Sequence, residues 1–219
     1  MSVVLVPGLG LGPESYEPVR ACLDQPAEVV RLPGYGRTSR RHEDLSPPAL
    51  GEALIREVQA LGITSAVLVG HSASCQIVVE AALARPELVA GLVLIGPIGD
   101  PTASAFWRLA ERWIRSAVHE PLQLIPTLRR QYAGTGPIAM TRGLRAAQRH
   151  DLSRTLEDLK IPVVVLRGKH DRIAPASWTD QVARLSGGTA QTLPTGSHLP
   201  VLTCGPEIAH AIQTLTTPD

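Results

Sequence analysis

Residues 67–79 read VLVGHSASCQIVV, and this stretch decides the fold. Val67, Leu68 and Val69 form a short apolar run rich in β-branched residues, the composition of a buried strand. The run stops at Gly70-His71-Ser72-Ala73-Ser74, and residues 73–84 then carry apolar side chains at helical spacing. A strand that turns at once into a helix strains the residue at the turn and lifts its side chain clear of the sheet. That residue is Ser72. It reads as a nucleophile held at a strand end or as an ordinary helix N-cap, a role that Ser74 suits equally well. The turn is crowded, so the residues two before and two after the serine must be small. Gly70 meets this condition. Ser74 stands where glycine is expected, and the sequence leaves open whether its hydroxymethyl group fills space or belongs to a site.

Further apolar runs occur at residues 3–6, 29–32, 66–69, 91–95 and 163–166, with a weaker one at 189–193. Most lack polar alternation and are bounded by Gly or Pro, as strands buried on both faces are. Helical spacing lies between them at 16–23, 47–61, 73–84, 178–185 and 206–215. Strand followed by helix, repeated, predicts an α/β fold. Its sheet is about six-stranded, doubly wound and mostly parallel, with helices on both faces. Ligands in such sheets bind beyond the carboxyl ends of the strands.

Residues 100–160 break the alternation: 103–118, 122–132 and 138–150 look helical, with no strand between them. The seven aromatic residues of the chain are few, and Phe106, Trp107 and Trp113 all fall in the first of these helices. The segment reads as a helical cap, with its aromatics as candidate substrate-binding residues, inserted into a core of residues 1–99 and 161–219. A plain set of crossover helices is the simpler alternative.

The chain has 219 residues, 44% of them hydrophobic, enough for one well-buried core. A net charge of +1 with mixed signs offers no field to draw nucleic acid or an anionic membrane surface. Cys22, Cys75 and Cys204 are odd in number and lack metal-ligand spacing, which favours a reducing cytoplasm over a disulfide framework. Neither a leader peptide nor an apolar run of about 20 residues is read in the sequence.

A serine hydroxyl needs a base, and the base needs an orienting acid. RGKHD follows the run at 163–166 and places Asp171 just past a strand end. PTGSHLP follows the run at 189–193 and places His198 likewise. Alone, a loop Asp is usually a turn former and a loop His usually nothing. Together, in the order Ser72, Asp171, His198, they form a candidate triad. Asp100, in IGPIGD after the run at 91–95, is an alternative acid, and His170 a rival base. His71 is expected to pack behind the turn and point away from the cleft, while His42, His119, His150 and His210 are expected to be solvated. VPGLGLG after the first run lacks both GxGxxG spacing and a phosphate-loop lysine. Its Leu9 N–H is placed to face the Ala73 N–H as an oxyanion hole.

These segments resemble the α/β-hydrolase superfamily over nearly the whole chain. VPGLG is similar to the family's oxyanion loop, with Pro7 where histidine is common. RLPGYGRTS resembles its DLPGxGxS segment, with Arg31 where an acid is common. VGHSAS resembles its elbow, RGKHD its acid loop and GSHLP its histidine loop. The resemblance implies a serine hydrolase acting on a small ester, lactone or thioester through an acyl-enzyme on Ser72. It implies no metal or organic cofactor. The expected partner is a small molecule with an apolar portion, and the chain a monomer or homodimer. A lyase, cyclase or cofactor-free haloperoxidase on the same fold, or a ligand-binding receptor, remains open.

Overall fold

The computed structural model describes residues 1–103 and 106–216. Its strands are β1 (Ser2–Val6), β2 (Ala27–Val29), β3 (Leu32–Pro33), β4 (Gly36–Arg37), β5 (Ala66–His71), β6 (Val89–Ile95), β7 (Val163–Arg167) and β8 (Thr189–Thr192). Six of them form one sheet in the order β2-β1-β5-β6-β7-β8, with every neighbouring pair parallel. The short β3 and β4 form a separate pair. The helices are α1 (Glu17–Arg20), α2 (Pro47–Ala60), α3 (Ser74–Ala84), α4 (Phe106–Ala117), α5 (Ile125–Thr135), α6 (Pro137–Arg149), α7 (Leu152–Leu156), α8 (Ala176–Leu185) and α9 (Gly205–Thr216).

Strand periodicity sorts the core into two layers. Val4, Val6, Leu68, Leu92 and Leu94 face one side, where Leu50, Leu54 and Val58 of α2, Ile77 of α3 and Val182 of α8 cover them. Val3, Leu5, Val67, Val69, Val93 and Ile95 face the other, against Val19 of α1 and Ile208 and Ile212 of α9. All six residues of β5 are buried, whereas all four of β8 are exposed. An edge strand has one neighbour and little cover, so TAQT carries little of the apolar signal that marks the central strands. The other edge differs from the run at 29–32: β2 pairs through Ala27, Glu28 and Val29, and Leu32 belongs to the small β3–β4 pair. The helix expected at 16–23 is a 3-10 turn at Pro13–Tyr16 followed by the short α1.

The chain runs from β1 outward to β2 and then returns to the far side of β1 as β5. The strand order therefore reverses between β1 and β5, and the crevice beyond their carboxyl ends is where such a sheet binds ligands. Gly8-Leu9 follows β1 and Ser72 follows β5. Between β6 and β7 the chain makes α4 to α7. Leu152 and Leu156 of α7 are buried in the core with α3 and α8, while α4, α5 and α6 carry exposed apolar residues including Trp107, Ile125 and Ile138. Among the described residues, no helix is long and apolar enough to cross a membrane.

Candidate active site

Ser72 has φ 57°, and among the described residues it is the only non-glycine with positive φ. A left-handed conformation at a residue with a Cβ costs about 1–3 kcal/mol and persists only where its surroundings enforce it. Here the Ser72 N–H donates to Ile95 O at 2.8 Å, which ties the turn to β6. The turn also needs Gly70: a Cβ there would lie 2.8 Å from Ser74 O and 2.9 Å from Cys75 Cα and Cys75 N.

Ser72, His198 and Asp171 form one hydrogen-bonded chain. His198 Nε2 lies 2.9 Å from Ser72 Oγ, and His198 Nδ1 lies 2.9 Å from Asp171 Oδ2. Asp171 is fully buried, and its Oδ1 accepts from Ile173 N at 2.8 Å and Ala174 N at 3.0 Å. Burial works to raise the Asp171 pKa, but the charge of His198 and the hydrogen bonds from His198, Ala174 and Ile173 outweigh it. The carboxyl is held below its ordinary value. Burial likewise works against the His198 imidazolium, and the charge and hydrogen bond of Asp171, aided by Glu120, outweigh it. The net shift of His198 is upward. The pair is thus arranged to favour carboxylate and imidazolium together. Gly96, at φ 55°, brings β6 against both partners: a Cβ there would lie 3.0 Å from Asp171 Oδ2 and 3.4 Å from His198 Nδ1.

The alternatives from the sequence are placed elsewhere. Asp100 pairs with Arg112 at 2.6 Å and Thr102 at 2.8 Å, and that pairing ties the middle of α4 to the loop after β6. His170 stacks on His119 with ring centroids 4.5 Å apart. His150, expected to be solvated, is largely buried and 2.6 Å from Glu80, because α6 ends against α3. His71 does not point away from the cleft. Its buried ring packs between the Gly8 and His198 loops that border the cavity, with Nε2 2.7 Å from His198 O, and it takes the space opened by the missing side chain at Gly8.

Because a carbonyl accepts, His71 Nε2 carries the proton, and the buried Nδ1 has no partner among the described residues. Burial, then the nearby His198, lowers the His71 pKa from 6.5 to about 3. The unfolded chain therefore binds a proton near pH 6.5 that the folded chain refuses until about pH 3. Stability is lost as pH falls through that window, by up to about 1.4 kcal/mol per pH unit. Urea denaturation between about pH 6.5 and 4.5, above the range where ordinary carboxylates titrate, is expected to show this slope. His71→Gln flattens it. An unchanged slope in the variant contradicts a neutral buried His71.

Ser74 faces away from the cavity. Its buried hydroxyl accepts from His71 N at 2.8 Å and lies 2.9 Å from both Val6 O and His71 O as a donor. The serine thus joins the elbow to the end of β1. Ser74→Ala leaves the His71 N–H buried without a partner and is expected to cost about 1–3 kcal/mol in urea denaturation. Substrate preference is expected to stay unchanged, because no Ser74 atom lines the cavity.

Ser72 opens into a cavity of about 490 Å³. Gly8, Leu9, Ala73 and His198 surround the serine, and Leu109 and Trp113 of α4 with Met140 and Leu144 of α6 complete the lining. The Leu9 and Ala73 amides have no hydrogen-bond partner among the described residues. Of the expected aromatics, Trp113 lines the cavity. Trp107 does not: it is 62% exposed, with the Arg108 guanidinium 5.0 Å from its ring centroid. The side chain of Phe106 lies outside the described residues. None of the arginines of α4 to α6 lines the cavity; Arg142, for example, donates to Arg40 O and Glu43 O. No group of three or more His, Cys, Asp or Glu suited to hold a metal ion occurs among the described residues.

Arg167, at the end of β7, was not singled out from the sequence. Its buried guanidinium donates to Asp171 O at 2.7 Å and Ala174 O at 2.9 Å, fixing the loop that carries the acid. Ser116 of α4 joins that loop to the histidine loop, its Oγ accepting from Arg172 N and its carbonyl from Ser197 Oγ.

A strained serine after the third sheet strand in chain order, a buried aspartate after the fifth, a histidine after the sixth, and an alternating α/β sheet together specify a family. The alpha/beta hydrolase family model matches residues 3–211. The chain belongs to the alpha/beta hydrolase family. It is 27% identical over 239 residues to the pimeloyl-[acyl-carrier protein] methyl ester esterase of Methylococcus capsulatus, covering 96% of this chain and 92% of that protein. It is 27% identical over 186 residues to a strigolactone esterase of Arabidopsis thaliana, covering 73% of this chain and 69% of the relative. A thermophilic esterase from Thermogutta terrifontis superposes with a TM-score of 0.80 at 21% identity, covering 99% of this chain and 89% of that one. A putative carbamate hydrolase of Klebsiella pneumoniae is 28% identical over 225 residues, covering 90% of this chain and 84% of that protein. The relatives are thus esterases or a carbamate hydrolase by name, and this alpha/beta hydrolase is an enzyme of the same family.

Proposed function

We propose that this alpha/beta hydrolase is a serine esterase that cleaves a small neutral ester, lactone or thioester through an acyl-enzyme on Ser72. The hydrogen-bonded chain from Ser72 through His198 to Asp171, at the floor of a mainly apolar cavity, carries this reading. His198 Nε2 takes the proton from Ser72 Oγ as the oxygen attacks the carbonyl carbon. The Leu9 and Ala73 amides, free of other partners, receive the developing oxyanion. His198 then delivers the proton to the departing oxygen or sulfur. Water, deprotonated by the same nitrogen, releases the acid. Asp171 holds the Nδ1–H tautomer throughout and stabilises the imidazolium. Helices α4 to α6 act as a cap, with Trp113 contacting the acyl group.

The acyl group is apolar because Leu9, Leu109, Met140 and Leu144 surround it and no arginine or lysine lines the cavity to receive a carboxylate. A p-nitrophenyl ester series tests the reading. A burst of nitrophenol equal to the enzyme concentration, followed by steady turnover and a preference for short apolar acyl chains, is expected. Saturable binding of the esters with no turnover contradicts it and favours a receptor.

A further inference from the structure

A second cavity, of about 260 Å³, lies beside the first. The two share Trp113, Tyr132, His198 and Leu199, but the second is lined by neither Ser72 nor Gly8, Leu9 and Ala73. It therefore sits on the histidine side of the reacting carbon, away from the oxyanion amides. In acyl transfer the leaving oxygen must meet the proton on His198 Nε2, so the departing group extends toward this side.

The walls of this second cavity are apolar, with Leu122, Ile125 and Leu128 among them, and Glu120 is the one carboxylate in its lining. Glu120 Oε1 accepts from Leu199 N at 2.9 Å, while Oε2 is buried and has no partner among the described residues. Burial raises the carboxyl above its ordinary pKa of 4.5, against the hydrogen bond from Leu199 and the charge of His198. A buried carboxyl oxygen without a partner is costly in an apolar wall, and a hydrogen-bond donor brought by a ligand removes that cost.

Resting on the esterase reading, we infer that the second cavity is the leaving-group subsite. There Glu120 accepts a hydrogen bond from a hydroxyl carried by an otherwise apolar departing alcohol. Glu120 then sets specificity at a site that the acyl pocket does not control.

The test compares pentyl butyrate with 4-hydroxybutyl butyrate, which differ by a methyl against a hydroxyl at the far end of the alcohol. The wild-type protein is expected to favour the hydroxylated ester in kcat/KM by about tenfold or more. Glu120→Leu reverses the preference, whereas Glu120→Gln, whose single amide oxygen stays with the Leu199 N–H while its NH₂ takes the Oε2 place, keeps the Leu199 contact and lowers the preference. Glu120 also holds the Leu199 amide, so a merely structural role would lower both esters alike. An unchanged ratio in Glu120→Leu overturns the inference. The same two esters are titrated calorimetrically into Ser72→Ala, with and without Glu120→Leu, and the same order of Kd values is expected. Hydrolysis of both esters without preference sinks the subsite and leaves the esterase reading standing. Glu120-dependent preference in binding, with no hydrolysis by the wild type, sinks the esterase reading and keeps the subsite. Neither hydrolysis nor preferential binding sinks both.

Discussion

Replacing Ser72 by alanine is expected to lower kcat for a short-chain ester by roughly 10⁶-fold, the scale seen when a serine nucleophile is removed from a hydrogen-bonded set of this kind. The loss is expected in kcat, with KM nearly unchanged, since the apolar walls of the cavity remain. Folding is not expected to suffer. Alanine keeps a Cβ at φ 57° and loses only the hydroxyl that faces His198. Ser72→Gly sharpens the point, because glycine adopts positive φ without a steric penalty. It is expected to abolish turnover while raising stability by about 1 kcal/mol through relief of the strained conformation. Urea denaturation beside steady-state kinetics reads both effects. A glycine variant that is less stable than the wild type contradicts strain at the elbow, and an alanine variant that keeps its esterase activity contradicts Ser72 as the nucleophile.

Asp171→Asn is expected to lower kcat by about 10⁴-fold through a change of tautomer. The Asp171 Oδ1 position receives two backbone N–H groups, from Ile173 and Ala174, so the amide oxygen of asparagine must take that place. Its NH₂ then faces His198 Nδ1, which becomes an acceptor and forces the proton onto Nε2. A protonated Nε2 cannot accept from Ser72. The substitution also moves the pH dependence. Wild-type kcat/KM requires neutral His198 and rises with pH through a pKa held above the usual 6.5. With the carboxylate gone, burial is no longer opposed by its nearest charge, so the acidic limb of the residual activity shifts to lower pH. A variant with near-normal kcat, or with an unmoved acidic limb, contradicts the assignment of Asp171.

The central sheet was legible because β1, β5, β6 and β7 are buried on both faces and leave near-continuous apolar runs. The edges were less so. The strand β8 is exposed along its length, and β2 ends where the apolar run at 29–32 begins, since an edge strand is not obliged to be apolar on both faces. The elbow could be read because Gly70, Ser72 and Ser74 are close in the chain and their constraint is local. Asp171 and His198 could be read only as a pair, since each is an ordinary loop residue until the parallel sheet brings the two strand ends together. The devices that position them were beyond reach. Arg167 lies within a strand, Ser116 within a helix and Glu120 in the turn after α4, and each acts through a main-chain group of a loop that is remote or refolded in space. Trp107 and Trp113 show the same limit: both belong to α4, and only packing against the core decides which one meets the cavity. The direction of His71 depended on empty space at Gly8, 63 positions away in sequence yet in contact through β1 and β5.

Covalent capture tests the central claim most directly. A fluorophosphonate carrying a short alkyl chain is incubated with the native protein, and the product is followed by intact-protein mass spectrometry and peptide mapping. Stoichiometric addition at Ser72 is expected, with loss of esterase activity at the same rate. No addition is expected to Ser72→Ala or after denaturation of the wild type. Absence of labelling in a folded protein, or labelling at another residue, contradicts Ser72 as the activated nucleophile.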